Sequence, residues 1–259
     1  MTMDMNMWMV MYAPTQRLTV SAMIPYFRKE MNMVDVDGND FVMRGNGIGD
    51  LELRPEYLIL QTADKRHQLI LNGGVGVPTG SIDEEMGGFR VDYCMQPGSG
   101  TVSLLPGLTY LGETGTWSWG ADFKAALRLG RNDHDYRFGN RYESRAWVTR
   151  QLTNWLSIST GLNGAIWDTI HGADPLLDPM MEPTTDPNLQ GGKRLDASFG
   201  LTFCPTMPCC QSARCCSATQ TFLNGHELFI EGRVPIIQSL DGPQLQNSWT
   251  INIGWQWMY

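Results

Sequence analysis

No stretch of this 259-residue chain approaches the roughly 18 consecutive apolar residues of a membrane-spanning helix. No long segment repeats its apolar residues at the 3.6-residue period of an amphipathic helix either, so helices are excluded as the framework. Basic charge is scarce. Nineteen Lys and Arg face 27 Asp and Glu, and a net charge of −8 has the wrong sign for nucleic-acid phosphates. Only four histidines are present and no G-x-S-x-G elbow, so nucleophile–base catalysis lacks its parts; the sequence predicts no enzyme and no cofactor. Nothing at the start reads as a secretory leader: Met1 to Tyr12 alternates like a strand and includes Asp4.

What is present is turn formers and alternation. Twenty-eight glycines and 14 prolines suit many turns. In the last eleven residues Trp249, Ile251, Ile253, Trp255, Trp257 and Tyr259 share one face, and Thr250, Asn252, Gly254, Gln256 and Met258 the other. A half-apolar strand of about 9–11 residues is what a tilted transmembrane barrel strand requires. Similar alternation marks eleven strands, at 3–12, 17–29, 49–61, 67–78, 101–112, 117–129, 141–152, 155–167, 193–204, 226–237 and 248–259.

The connections alternate in length: tight at 13–16, 63–65, 112–116 and 153–154, long at 30–48, 79–100, 130–140 and 168–192. Outer-membrane barrels have this asymmetry between periplasmic turns and external loops. The predicted fold is therefore all-β, a single transmembrane antiparallel up-and-down barrel over 1–259, with a Cys-rich insertion at 205–222. Such barrels have even strand numbers, so twelve strands are expected in the intact protein, with one strand and an export signal preceding Met1.

Several stretches resemble one family. They are Met11-Tyr12-Ala13-Pro14-Thr15, Gly74 to Ile82, Gly98-Ser99-Gly100-Thr101, Leu105 to Tyr110, Trp117-Ser118-Trp119-Gly120, Gly172-Ala173-Asp174-Pro175 and Leu240 to Leu245. The family is the one named for the MetA pathway of phenol degradation, whose members are described as outer-membrane transporter proteins. The resemblance implies uptake of aromatic compounds and defines no active site. Relatives join the ninth and tenth strands by a short turn, where this chain carries its Cys-rich insertion.

Cys204, Cys209, Cys210, Cys215 and Cys216 lie in a C-x4-CC-x4-CC array, which is neither a zinc-ribbon nor a haem motif. Disulfides or an inert insertion are the expected use, with capture of Cu(I) or Zn by thiolates as the alternative. Met1, Met3, Met5, Met7, Met9 and Met11 invite a copper reading too, since thioethers select Cu(I). The favoured expectation is a lipid-facing stripe, leaving Asp4 and Asn6 to face the lumen.

Charges are interleaved on the other faces. Glu52, Arg54, Glu56, Asp122, Lys124, Arg128, Glu143, Arg145, Arg194 and Asp196 are predicted to line the pore beside Trp147 and Trp167, with Glu231 and Arg233 on the same inward side. An Arg or Lys turned into lipid would cost about 2–4 kcal/mol at the midplane, so these groups must face water or one another. They form either a structural network or a polar constriction that selects solutes. The loop 171–192, with Asp-Pro steps at Asp174, Asp178 and Asp186, is expected to be stiff and to narrow the pore or close over it as a lid. The expected partners are the outer-membrane bilayer, a small-molecule solute and the barrel-assembly machinery. The expected function is passive passage of small apolar or aromatic solutes. A copper- or zinc-handling protein and a non-conducting structural barrel are the alternatives.

Overall fold

The computed structural model describes residues 1–34, 40–180, 183–204 and 225–257. Its strands are β1 (Thr2–Thr15), β2 (Leu18–Val34), β3 (Asp40–Ile48), β4 (Leu51–Gln61), β5 (His67–Asn72), β6 (Val75–Val77), β7 (Glu85–Met86), β8 (Phe89–Arg90) and β9 (Val102–Leu104). They continue with β10 (Gly107–Thr114), β11 (Trp117–Leu129), β12 (Tyr136–Arg137), β13 (Arg141–Gln151), β14 (Leu156–Trp167), β15 (His171–Gly172), β16 (Gly192–Phe203), β17 (His226–Leu240) and β18 (Thr250–Trp257). The described helical residues are two 3-10 turns, Pro183–Thr185 and Pro187–Leu189. No described helix is long and apolar enough to cross a membrane.

The large sheet runs β1-β2-β4-β5-β10-β11-β13-β14-β16-β17-β18, each strand antiparallel to its chain neighbour. It therefore contains the eleven expected strands, and β1 and β18 form its two edges. Two of the eleven are broken, and a third gains a strand ahead of it. β3 runs into β4 across Gly49-Asp50, so most of the expected loop 30–48 is strand, paired from Tyr26↔Ile48 to Val34↔Asp40. The strand expected at 67–78 divides at Gly73-Gly74, where a Cβ on Gly74 would lie 2.9 Å from the Leu53 carbonyl oxygen. The next divides at Leu105-Pro106 because proline cannot donate to the ladder. The first hairpin also turns later than expected, at Gln16-Arg17, and β17 continues to Leu240.

The two faces differ as alternation requires. Phe123, Leu162, Phe199, Ile230, Ile251 and Ile253 make an exposed apolar band; Phe199 is 66% and Ile253 75% exposed. Aromatic side chains gather on this outer face toward the tight turns: Tyr12, Tyr57, Trp117, Trp255 and Trp257. Such a band with an aromatic girdle is what a bilayer and its interface select. The opposite, inner face is polar and buried, with Thr149, Ser157, Asp196, Ser198 and Glu231 all below a tenth exposed.

Register reverses one expectation. Met5, Met7, Met9 and Met11 stand opposite Phe27, Pro25, Met23 and Ser21. Met23 and Ser21 in turn stand opposite Glu52 and Arg54. Cross-strand partners share a face. The methionines are therefore on the inner face, and Trp8, Val10 and Tyr12 on the outer one. Asp4, paired with Arg28, and Asn6, paired with Tyr26, are on the outer face as well. A smaller correction falls at Ile59, where a bulge between Leu58 and Leu60 shifts the register and breaks the expected alternation.

Candidate functional site

The inner face carries a ladder of ion pairs whose partners mostly stand two residues apart on one strand, where alternation puts both on the same side. Arg54 Nε lies 2.8 Å from Glu52, Arg141 Nε 2.6 Å from Glu143, Arg194 Nε 3.0 Å from Asp196, and Arg233 Nε 2.6 Å from Glu231. Lys124 and Asp122 are looser, at 3.7 Å. Glu56 shares this face, opposite Thr19, and is exposed. Arg145 leaves its own strand and bonds Glu231 on β17, across β14 and β16. Its guanidinium also lies 5.1 Å from the Trp147 ring, and Arg141 lies 5.7 Å from Trp167. Trp147 packs over Gly120, where an added Cβ would come within 2.3 Å of the indole. Charge and aromatic surface thus meet along β11, β13, β14, β16 and β17. On β1 and β2 the same face is lined by thioethers.

The layer packed directly on the inner face is residues 79–101, with the Asp-Pro loop lying over it. Residues 79–101 fold against the inner face, with Val91, Asp92, Tyr93 and Met95 almost wholly buried. Lys29, buried on β2, donates to the carbonyl oxygens of Cys94 at 2.7 Å and Gln96 at 2.9 Å. Met95 completes an apolar cluster with Met31, Met43 and Val91. The loop's far end is fixed by Asp50, at the break between β3 and β4. Its carboxylate accepts from the backbone N–H groups of Gly80 at 3.2 Å and Ser99 at 3.1 Å. The two loop arms touch at Gly80 and Gly98, where a Cβ on Gly98 would lie 2.2 Å from the Gly80 carbonyl oxygen.

The loops 130–140 and 168–191 close over this segment. Tyr93, Tyr136 and Ile170 form a buried cluster with Phe138 and Leu177 against it. Burial raises the phenol pKa of both Tyr93 and Tyr136 above the ordinary value. The Asp174 N–H donates to the Tyr93 hydroxyl at 3.0 Å, and the Thr184 hydroxyl to Asp92 at 2.8 Å. Asp83 binds Arg90 at 2.9 Å and lies 2.6 Å from His134. Hydrogen bonds to Arg90 and then His134 hold its carboxyl below the usual range. The Asp-Pro loop therefore acts as the outer layer of a cover whose inner layer is 79–101.

Of the cysteines, Cys94 lies in the cover, exposed, and Cys204 is buried at the end of β16. Cys209, Cys210, Cys215 and Cys216 lie outside the described residues. Among the described residues no three His, Cys, Asp or Glu side chains converge as a metal site. Lys29, Asp50 and Ser99 are the important residues that sequence reading missed. The interruption at Gly49-Asp50 and the Gly98-Ser99-Gly100 turn were the available signals.

An antiparallel up-and-down sheet with an apolar outer band, a charged inner face and long loops at one end has the architecture of an outer-membrane barrel. The sequence profile of the family described as "Putative MetA-pathway of phenol degradation" matches residues 8–205, and the chain belongs to that family. Its fold is similar to the crystal structure of the COG4313 outer membrane channel from Pseudomonas putida F1, with a TM-score of 0.64 at 12% identity. That similarity covers 98% of this chain and 82% of the channel. No curated protein matches the chain.

Proposed function

We propose that this protein is an outer-membrane channel through which small, mostly apolar or aromatic solutes diffuse passively. The observation that carries this reading is the division of the inner face. Met5, Met7, Met9, Met11 and Met23 line one side, and the charges of β11 to β17 the other. Apolar side chains on the outside meet lipid; on the inside they meet whatever crosses. Thioethers are flexible and make favourable contacts with aromatic rings, so they accept ring-bearing solutes without demanding one shape. The charge ladder keeps the remaining lumen wet and polarised. The family name and the solved channel agree with this use, and the outer band and girdle support a place in the bilayer.

The test is a flux panel in liposomes covering phenols, alkanes, sugars and metal ions. Phenols should pass faster than sugars of similar size, and Met7→Ser with Met9→Ser should slow them. No flux of any solute would instead favour a closed structural barrel. The inward thioethers also keep a copper-handling reading open. It predicts stoichiometric Cu(I) that is lost when the β1 methionines become leucine.

A further inference from the structure

A cavity of about 320 Å³ lies between the cover and the inner face of β2, β4, β9 and β11, within the range of pockets that hold small ligands. Phe27, Phe138 and Leu105 give it apolar walls, and Lys29, Asp50 and Arg128 reach it. Glu52 lines it too, so its cations and carboxylates balance in number but not in pairing. Arg54, Arg145, Arg194 and Arg233 on the same inner face each hold a carboxylate at hydrogen-bonding distance. Arg128 does not. Its Nη1 donates to two neutral hydroxyls, Ser103 at 2.7 Å and Ser99 at 3.1 Å. Its Nε is buried with no hydrogen-bond partner, and its nearest carboxylate, Asp50, is 3.9 Å away. That carboxylate is already engaged by Gly80 and Ser99. Glu52 is engaged by Arg54, and Lys29 adds a second positive charge, 5.1 Å from the Phe27 ring.

We propose that this cavity is a holding site on the solute path for a monocyclic aromatic carboxylate. The carboxylate would sit on Arg128, and the ring between Phe27 and Phe138. A guanidinium presents paired donors that match a carboxylate, and its worth rises in a partly dry, aromatic-walled space. The two phenylalanines offer ring faces and edges at little entropic cost. The inference deepens the channel reading and rests on it. It adds an anionic member to the solute class and names the groups that select it.

Benzoate, acetate and benzyl alcohol, titrated calorimetrically into the full chain folded in detergent, test the idea. Benzoate should bind saturably, at least tenfold tighter than either of the others, and chloride should compete. Arg128→Lys keeps a donor for Ser99 and Ser103 but loses the paired geometry, and should weaken benzoate at least tenfold while heat-modifiable mobility shows a folded barrel. If Arg128→Lys does not fold, the wild-type comparison decides alone. Equal affinity for benzoate and acetate, or benzoate binding unchanged in a folded Arg128→Lys protein, overturns the proposal and leaves the channel reading standing. Failure of every aromatic solute to cross liposomes with wild-type protein would instead remove the path on which the site is placed.

Discussion

Arg145 on β13 bonds Glu231 on β17 past two intervening strands, so this ion pair crosses the concave inner face instead of following a strand. Glu231 also accepts from Arg233 at 2.6 Å, which leaves one carboxylate holding two guanidinium groups. Glu231→Gln should therefore release two positive charges into the lumen and shift selectivity toward anions, and Arg145→Ala should shift it the other way. Reversal potentials in a salt gradient across planar bilayers measure both. The loss of charge-assisted bonds should cost about 1–3 kcal/mol of stability in Glu231→Gln. Identical selectivity in all three proteins would mean that these charges do not line the path.

Lys29 ties β2 to the cover through two carbonyl oxygens. Lys29→Met preserves the apolar stem but leaves both carbonyls of Cys94 and Gln96 without that donor, at a cost of about 2 kcal/mol. Residues 79–101 should loosen, so single-channel conductance should rise and the amides of this segment should exchange faster with deuterium. A conductance equal to wild type would show that the cover does not limit passage.

Acid should loosen the cover's outer layer. Asp83 is held below its ordinary pKa by Arg90 and His134, so it binds fewer protons folded than unfolded. Its contribution is present above the unfolded value of about 4 and is lost as pH falls through the depressed folded value. Asp83 is largely exposed, so the effect is modest. Conductance should be flat from pH 7 to 5 and rise below about 4. Asp83→Asn should show the raised level at neutral pH and a smaller further rise in acid.

The facing of β1 is open to a paired test. Val10, 74% exposed on the outer face, and Met9, opposite Met23 on the inner face, are chain neighbours. Val10→Lys should cost about 2–4 kcal/mol in urea titrations of bilayer-folded protein, while Met9→Lys should cost well under half as much. The opposite order would return the methionines to the lipid.

Alternation alone determined that this chain is a half-apolar, turn-rich sheet protein with eleven strands. It also placed Ile251 to Trp257, the β11 charges and the Arg194–Asp196 pair on their correct faces, because there one face is apolar and the other polar. It could not orient β1. Methionines alternate there with Trp8, Val10 and Tyr12, both sets apolar, and only pairing with β2 and β4 decides which set faces inward. The bulge at Ile59 was hidden for a related reason: a one-residue shift depends on the partner strand. The cover, the Arg145–Glu231 bridge and the surroundings of Arg128 join residues from 25 to 92 positions apart. No local pattern encodes such contacts, since they exist only once the sheet has curled and brought its inner face around them.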